Sequence, residues 1–543
     1  MELTRRTLIG LAGTAAAAAG TAPLVAPRAG HADEAASETA EFTYTAGHQR
    51  EGLPSFLQQP EPITDIAQTY DYEVVVVGAG SPGVPCALAA FEDGVDVAVI
   101  TKGFTASAYG NTGSGVDLET SDPADVARLV SNLMIDSQHR PDRALYDMWA
   151  KYSGEAVKWL VAKGQEAGAQ VIDQGNAQHQ ANINRFGYNV NFVTSFFGPK
   201  PYTTGEGMQD LLAKAEADGL PVYYETPGVQ LVQDENGRVT GVIAETENGY
   251  VQFNASKAVV LATGDYQNDT QMLYYYQPDM MNLGPKQHGR TGDGHKMAVW
   301  AGGSIENLPH TKMLHDFDAG PASMCDMPFL RVKMNGERFC NELAEMSIMN
   351  CYLRSSEDQG NYCQVFDADY MEKAADFPGG LVDPEGLKNY MPEEEGEKTG
   401  VLEGFIGTFK ADTLEELAAK LEITDVDAFV ATVERWNQLC ADGSDPEFGL
   451  KPEYLKAIDT PPFYGIHRHV RMSQICSGVN INADLQVVDA EDQPIEGLYA
   501  IGNVAGGFYG GIDYPLTVPG LNLGHNYTQG YVLGKRLAGT LGE

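Results

Sequence analysis

The sequence predicts an α/β fold in which a parallel sheet, built from both ends of the chain, is divided by an inserted α+β segment. Three observations support this prediction. Aliphatic runs lead into glycine at residues 74–80, 258–264 and 498–503, as buried parallel strands often do. The first run continues into an apolar helix and a second strand. Between the second and third runs, residues 305–400 have a different composition, richer in Met, Cys, Pro and acidic residues.

The first run carries the pattern G-x-G-x-x-G directly after four valines. In this pattern Gly78 makes the turn, Gly80 lets a diphosphate approach the backbone, and Gly83 lets the next helix pack closely. The phosphates would rest at the positive N-terminus of that helix. A second strand at residues 96–100 completes a βαβ unit, so the sequence predicts a Rossmann-like domain that binds a dinucleotide. The turn residues expected at this ligand are Gly78, Ala79, Gly80, Ser81, Pro82 and Gly83.

The end of the second strand departs from the usual pattern. An acidic residue normally stands there and binds a ribose, whereas this chain has Thr101 followed by Lys102. A threonine hydroxyl can bond a ribose hydroxyl, but less strongly than a carboxylate does. Residues 103–115 are rich in Gly, Ser, Thr and Asn and are predicted to form a loop that binds phosphate or polyol oxygens. The contacts expected from this loop are Asn111, Thr112, Gly113 and Ser114.

The remaining elements follow in order from periodicity and turn residues. Residues 176–204, rich in Asn, Phe and Tyr, are predicted to be an exposed or cleft-lining loop, and a β-meander is predicted over residues 229–253. Another buried strand is expected at residues 257–264. Helices are predicted at about residues 123–137, 141–163, 207–218, 293–301, 413–440 (two helices) and 521–538.

Charge and length exclude several classes of protein. The 543 residues include 75 acidic and 36 basic side chains, for a net charge of −39. Such a charge argues against nucleic acid and against an anionic membrane surface as partners. Two interpretations of the acidic surface remain: it keeps an exported protein soluble, or it docks a basic redox partner.

The N-terminus resembles an export signal. Arg5 and Arg6 precede an alanine-rich apolar stretch, residues 8–26, and small residues near position 32 suit cleavage. We therefore predict a twin-arginine signal peptide at residues 1–32 and a linker at residues 33–70. The protein is then expected in the periplasm or on the outer face of the cytoplasmic membrane. A retained anchor helix is the alternative.

The seven cysteines form neither C-x-x-C nor a haem-attachment motif. Four of them, Cys325, Cys340, Cys351 and Cys363, could in principle surround an iron–sulfur cluster. Their wide spacing favours ordinary buried thiols, so no metal site is predicted. The chain also has no second G-x-G-x-x-G motif that would suit a nicotinamide cofactor.

Five sequence blocks occur in a characteristic order: the glycine turn at 76–80, Ala262-Thr263-Gly264, Thr291-Gly292-Asp293-Gly294, Gly336-Glu337-Arg338-Phe339-Cys340-Asn341-Glu342, and Gly497 to Asn503. This order resembles the fumarate reductase/succinate dehydrogenase flavoprotein family, and within it the exported single-chain reductases of urocanate and other enoates. The resemblance covers residues 71–543. It implies bound FAD, a FAD-binding domain formed by residues 71–304 and 473–543, and a mobile capping domain at residues 305–472.

The resemblance also implies further cofactor contacts. The helix that begins near Leu521 should direct its positive end at the flavin pyrimidine ring and stabilise the reduced, anionic form. The additional residues expected at FAD are Thr101, Lys102, Val229, Ala262, Thr263, Gly264, Asp293, Gly502, Asn503, Leu521, Asn522 and Leu523.

Three departures from the family affect the expected substrate. Met346 aligns with the family's proton-donating arginine, and Cys476 stands near the place of its substrate histidine. Residues 506–515 lack the family's C-terminal arginine. Because a dicarboxylate needs bidentate arginine contacts, these losses argue against fumarate. By contrast, Tyr514-Pro515 with Gly520 is similar to a segment of ketosteroid dehydrogenases, in which a tyrosine hydroxyl polarises a ketone.

The resemblance implies hydride transfer from flavin N5 to one alkene carbon and a proton to the other. The candidate polarising groups are Tyr514 and Tyr509, the candidate proton donors are Glu345 and His315, and Arg185 could hold a substrate carboxylate. Electrons are expected from a membrane quinol through a separate cytochrome or flavoprotein. Two alternatives stay open: a dehydrogenase that forms the alkene, and a degenerate flavoprotein that only binds a ligand or passes electrons.

Overall fold

The computed structural model describes residues 54–198, 202–281, 283–307, 309–315, 327–344, 349, 358, 360–377, 388–393, 406–511, 513–515 and 517–542. The strands are β1 Ile66–Val77, β2 Val97–Ile100, β3 Thr112–Val116, β4 Val171–Asp173, β5 Phe192–Phe197, β6 Val222–Tyr223, β7 Gly228–Gln233, β8 Val239–Thr246, β9 Gly249–Leu261, β10 Lys312–His315, β11 Leu330–Val332, β12 Asn361–Asp367, β13 Thr408–Ala411, β14 Phe463–His469, β15 Arg471–Ile475, β16 Gln486–Val488 and β17 Pro494–Ala500. The helices are α1 Gly83–Glu92, α2 Pro123–Asp136, α3 Arg143–Glu166, α4 Gln180–Phe186, α5 Thr204–Ala217, α6 Thr270–Tyr276, α7 Asp293–Trp300, α8 Tyr370–Ala375, α9 Leu414–Lys420, α10 Val426–Asp442 and α11 Leu521–Ala538.

The three predicted glycine-ended runs lie side by side in one sheet, which confirms the α/β fold. Its strand order is β16-β17-β9-β1-β2-β6, and the pairs β17–β9, β9–β1, β1–β2 and β2–β6 are parallel. The valines of β1 are fully or almost fully buried because helices cover the sheet. Both ends of the chain thus contribute to a sheet whose strands end at the glycine turns.

Several elements differ from the sequence-based expectations because their partners are distant in the chain. The first strand starts at Ile66, inside the predicted linker, since residues 66–72 pair with the first half of β9. That pairing also joins the predicted meander strand and the predicted strand at 257–264 into one strand, β9. Residues 112–116 are not loop but strand β3, because they pair with β5. The predicted loop at 176–204 likewise contains α4 and β5.

The segment between the second and third runs has apolar clusters of its own. A four-stranded antiparallel sheet, in the order β11-β12-β14-β13, packs against α9 and α10. The predicted apolar stripe of α10 is core, with Phe429, Val433 and Trp436 buried at helical spacing. The composition shift therefore coincides with a structurally different segment, although its domain boundaries at 305 and 472 stay predictions.

In the part of the chain that the structure describes, no helix combines the length and the apolar character that crossing a bilayer requires. Five cysteines are described, and all five are free thiols: Cys86, Cys340, Cys363, Cys440 and Cys476. The described residues contain no group of metal-ligating side chains. Cys325 and Cys351 lie outside the described residues.

Candidate active site

The glycine turn after β1 has the close approaches that its sequence pattern requires. A Cβ atom on Gly83 would lie 2.0 Å from the carbonyl oxygen of Gly78, and one on Gly78 would lie 2.4 Å from that of Ala262. By contrast, a Cβ on Gly80 would meet nothing closer than the Ser107 carbonyl oxygen at 3.4 Å. Gly78 and Gly83 therefore serve the packing of strand and helix, whereas Gly80 leaves space for a ligand.

A cleft runs along this turn and has two adjoining parts. One part holds about 490 Å³ and the other about 410 Å³ of empty space. The first is lined by Val77, Gly78, Ala79, Gly80, Ile100, Thr101, Lys102, Ser107, Pro227, Gly228, Ala262, Thr263, Arg290 and Asp293. The second is lined by Gly80, Ser81, Pro82, Ser107, Ala108, Tyr109, Ala262, Gly264, Asp265, Gln287, Arg290, Gln474, Asn503, Leu523 and Asn526. A cleft in this place suits a dinucleotide that lies across the carboxyl ends of the strands.

In the first part of the cleft, the carboxylate of Asp293 lies beside Lys102. Lys102 follows Thr101, which stands where a ribose-binding acidic residue is usual. Lys102 Nζ lies 2.8 Å from Asp293 Oδ2 and donates to Thr291 Oγ1 at 2.7 Å. Thr101 is 9% exposed and lines the same part of the cleft. The first part of the cleft therefore contains a carboxylate, Asp293 at the start of α7, as predicted for a cofactor contact, and this carboxylate is paired with Lys102.

Polar atoms in the cleft fit a bound dinucleotide. The hydroxyl oxygen of Thr263 and the side-chain oxygen of Asn526 are buried, and neither has a hydrogen-bond partner among the described residues. Both residues line the cleft. Because leaving such atoms unpaired costs free energy, a ligand with donors along its length is the natural partner.

The N-terminus of α11 is held by buried polar side chains. Gly520, the residue before the helix, has φ of +73°, which favours glycine. Ser114 donates from its backbone N–H to the Gly520 carbonyl oxygen at 3.1 Å and from its hydroxyl to that of Pro519 at 2.8 Å. His179 Nε2 lies 3.0 Å from the Ser114 hydroxyl, and burial lowers the pKa of His179 to about 4. Ser114 therefore orients the terminus of α11 from strand β3, whereas the sequence predicted it as part of a ligand-binding loop.

Tyr509 and Tyr514 meet at this helix terminus through Asn522. The backbone N–H of Asn522 donates to the Tyr514 hydroxyl oxygen at 2.9 Å, and its side-chain amide donates to the Tyr509 hydroxyl oxygen at 3.3 Å. The same amide donates to Asn503 at 2.9 Å, and Asn503 in turn donates to Gln474 at 2.7 Å. Asn503 and Gln474 line the cleft, so a chain of hydrogen bonds through Asn522 connects the two hydroxyls with it.

Both tyrosines stay protonated at neutral pH. Their ring centroids are 5.3 Å apart, and the residues are 1% and 8% exposed. Burial raises the pKa of each hydroxyl above its ordinary value. Because each oxygen accepts a hydrogen bond from Asn522, each hydroxyl proton is free to be donated to a different group. The pair can therefore act as two neutral hydrogen-bond donors.

Two of the other predicted catalytic residues, His315 and Arg185, lie in described elements of the fold. His315 is the last residue of β10 and pairs with Arg471 of β15. Glu345 lies outside the described residues, as does Met346. Arg185 is exposed in the last turn of α4, with its guanidinium carbon 5.1 Å from the Phe186 ring centroid. The roles assigned to these residues stay predictions.

Several predicted cofactor contacts also have roles within the protein. Asn111 donates from its side chain to the carbonyl oxygens of Phe197 and Tyr202, and Gly113 faces Tyr527. Thr112 begins β3, and Val229 follows Pro227 and Gly228, which line the cleft. Gly502 has φ of +74° and packs on Pro82. Four further residues of the cleft stand outside the sequence blocks and were not predicted: Arg290, Gln287, Gln474 and Asn526.

The fold and this cleft define a dinucleotide-binding protein. The model of the FAD binding domain family matches residues 73–514, and the chain belongs to that family. FAD is therefore its cofactor, and the protein is a FAD-dependent oxidoreductase of the fumarate reductase flavoprotein type. Reduced flavin supplies a hydride when it is bound.

Two curated relatives match most of the chain. Vinyl phenol reductase of Lactiplantibacillus plantarum is 27% identical over 508 residues, which cover 87% of this chain and 97% of the relative. Urocanate reductase of Eggerthella lenta is 26% identical over 476 residues, covering 83% of this chain and 71% of the relative. The chain is thus similar to reductases along nearly its whole described length.

Solved structures show the same fold. The open conformation of a flavocytochrome c3 fumarate reductase superposes with a TM-score of 0.68 at 24% identity, covering 88% of this chain and 79% of that one. A 3-ketosteroid-Δ4-(5α)-dehydrogenase from Rhodococcus jostii superposes with a TM-score of 0.62 at 21% identity, covering 89% and 99%. These similarities show the fold. The substrate has to be inferred from the residues of the site.

The block Gly336 to Glu342 is built around a buried ion network. Arg338 binds both carboxylate oxygens of Glu342, at 2.8 and 2.6 Å, and Asp445 at 2.9 Å. Its guanidinium carbon also lies 4.9 Å from the Trp436 ring centroid. The side chains of Glu342 and Asp445 are fully buried. Arg338 therefore ties this block to the segment that follows α10.

Replacing Arg338 by alanine should lower the free energy of unfolding by about 3–5 kcal/mol, because two buried carboxylates lose their cation. Urea unfolding followed by tryptophan fluorescence measures the change, since Trp436 packs on Arg338. Arg435 and Glu447 form an exposed pair at 2.7 Å, so Arg435→Ala is the matched control with an expected loss of about 0–1 kcal/mol. Equal effects of the two variants would contradict the structural role of Arg338.

Proposed function

We propose that this protein reduces the C=C bond of an α,β-unsaturated carbonyl compound that is larger and less charged than fumarate. The observation that carries the proposal is the pair of buried hydroxyl donors, Tyr509 and Tyr514, oriented by Asn522 at the N-terminus of α11. The names of the two relatives, vinyl phenol reductase and urocanate reductase, support a reductase.

A pair of neutral donors suits a carbonyl oxygen. When a hydride reaches the β-carbon of an enone, negative charge develops on the carbonyl oxygen, and the α-carbon then takes a proton. Hydroxyl groups placed in advance at that oxygen stabilise the enolate without having to reorganise. The helix terminus behind Tyr514 adds positive potential to its hydroxyl. A carboxylate would instead call for guanidinium groups, and residues 506–515 contain none.

Apolar side chains surround the hydroxyl pair. Phe508 is 1% exposed, with its ring 4.8 Å from that of Tyr509 and 4.6 Å from that of Tyr146. The His525 ring lies 4.1 Å from that of Phe508 in a tilted arrangement, and burial lowers the pKa of His525 to about 3, so this ring is neutral. These rings contribute apolar area and no charge of their own, which favours an uncharged substrate beside them.

The proposal can be tested with the purified flavoprotein, reduced by dithionite and mixed with a panel of alkenes. The panel contains cyclic and aromatic enones, cinnamates, urocanate and fumarate. Reoxidation of the flavin fastest with an enone, together with recovery of the saturated ketone, is the expected result. Fumarate as the best acceptor would refute the proposed specificity. If only a saturated ketone with an artificial electron acceptor turns over, the enzyme works in the desaturating direction.

We further propose that electrons reach the flavin from a membrane quinol through a separate cytochrome or flavoprotein outside the cytoplasm. The support is the twin-arginine pattern at residues 5–6 and the net charge of −39, which favours a basic partner. Twin-arginine export carries folded proteins, so FAD would be inserted before transport.

Replacing Arg5 and Arg6 together by lysine should keep the protein in the cytoplasm, because the export machinery reads the arginine pair itself. Cell fractionation followed by immunoblotting measures the distribution. Replacing Arg28, which lies beyond the apolar stretch, by lysine should leave export unchanged and is the control. Normal export of the double variant would show that this segment is not a twin-arginine signal.

A further inference from the structure

Four residues line both parts of the cleft: Gly80, Ser107, Ala262 and Arg290. They therefore mark the junction where the two halves of a dinucleotide meet. In FAD that junction is the diphosphate, which carries two negative charges. Arg290 is the charged residue among the four, and it directly precedes the block Thr291-Gly292-Asp293-Gly294 without belonging to it.

The guanidinium of Arg290 is held in place from several directions. Its backbone N–H donates to the Asn268 side chain at 2.8 Å, and its carbonyl oxygen accepts from the Asn268 backbone N–H at 2.8 Å. In the side chain, Nε donates to Gln287 Oε1 and Nη2 to the Ser107 carbonyl oxygen, both at 3.1 Å. Gly264, at φ of +76°, leaves room for it, since a Cβ there would lie 3.1 Å from Arg290 Cδ. Because these contacts fix the Arg290 side chain in advance, the entropy cost of binding a ligand to it is lower.

The charge of Arg290 has no ion-pair partner among the described residues. Lys102, the other cation of the cleft, is paired with Asp293 at 2.8 Å. The nearby carboxylate of Asp265 accepts from the Ile475 backbone N–H at 2.8 Å and from Gln267 at 2.9 Å. Burial raises the pKa of Asp265 and the charge of Arg290 opposes that rise, so the two groups interact without forming a direct ion pair. Arg290 is therefore a fixed, half-buried cation in the cleft that can still bind an anion from outside the protein.

We propose that Arg290 binds the diphosphate of FAD, opposite the glycine turn and the N-terminus of α1. The usual glycine turn supplies backbone N–H groups and a helix dipole. Arg290 adds a planar, charged donor that can contact two phosphate oxygens at once. This inference concerns cofactor affinity and is independent of the proposed substrate.

The test uses apoprotein and four probes: FAD, ADP, adenosine and riboflavin. Arg290→Gln should weaken FAD and ADP binding on the order of 10–100-fold, because each loses charge-assisted hydrogen bonds. Adenosine and riboflavin, which lack phosphate, should bind the variant and the wild type alike. ADP affinity should also fall less steeply with added salt in the variant. Calorimetry or fluorescence titration measures all four constants without enzyme turnover.

Two further variants keep the test decisive. Arg290→Lys retains a point charge without the fork, so ADP affinity should lie between those of the wild type and Arg290→Gln. Lys296→Gln removes one charge from α7, where Lys296 pairs with Asp269 at 2.6 Å, and should leave the four affinities unchanged. Unaltered ADP binding by Arg290→Gln would overturn the proposal. An equal loss for adenosine would also overturn it, because it would mean that the cleft itself had been distorted.

Discussion

Replacing Gly80 by leucine is expected to abolish FAD binding while the apoprotein still folds. A Cβ at this position meets nothing within 3.4 Å, and the φ of Gly80 is not in the left-handed region, so the side chain fits the protein alone. It would fill the space where the diphosphate approaches the backbone. The measurements are the flavin content of the purified variant, read from fluorescence after denaturation, and its circular dichroism.

Gly83→Val is the matched control for Gly80→Leu. At Gly83 the added Cβ would lie 2.0 Å from the Gly78 carbonyl oxygen, so the strand and helix would be forced apart and the protein should fail to fold. Two glycines of one motif are thus expected to give opposite signatures: a folded protein without flavin, and no folded protein. Retention of FAD by Gly80→Leu would contradict the position assigned to the diphosphate.

Replacing Tyr514 by phenylalanine is expected to lower kcat on the order of 10²-fold while FAD stays bound, as for the loss of one oxyanion donor. The same change at Tyr509 should have a smaller effect, because its hydroxyl lies 3.3 Å from the Asn522 amide, compared with 2.9 Å between Tyr514 and the Asn522 backbone. Since the two hydroxyls share Asn522, the double variant should lose less than the product of the two single losses. Steady-state turnover of the best enone with an artificial electron donor measures kcat and KM separately.

The Tyr514 variant also leaves the backbone N–H of Asn522 without a partner, which costs about 1–3 kcal/mol of stability. Tyr527→Phe separates that effect from catalysis. Tyr527 is fully buried on the same helix, and its hydroxyl lies 3.4 Å from that of Thr204, away from the tyrosine pair. This control should lose some stability and keep its kcat. Full activity of Tyr514→Phe would return Tyr514 to a purely structural role at the helix terminus.

Local sequence patterns were sufficient to predict the main elements of the flavin-binding part of the molecule. Four valines before G-x-G-x-x-G required a buried strand, a tight turn and a close helix, because only glycine tolerates the contacts at Gly78 and Gly83. The predicted helix at 521–538 coincides with α11, since glycine flanks it at both ends and its apolar positions recur at helical spacing. These features depend on residues near each other in the chain, so they can be predicted from the sequence alone.

Contacts between segments far apart in the chain determine strand β3 and the arrangement of side chains in the cleft. Thr112–Val116 becomes a strand because Phe192–Phe197 pairs with it, and neither segment alone has a strong strand pattern. Asp293 reaches Lys102 across 191 residues, and Arg290 reaches the Ser107 carbonyl across 183. The tyrosine pair depends on Asn522, whose backbone and side chain bond different hydroxyls. Residue types and spacing predict which cofactor this protein binds, but only folding brings together the groups that orient the hydroxyl donors and neutralise the diphosphate, because those groups lie far apart in the chain.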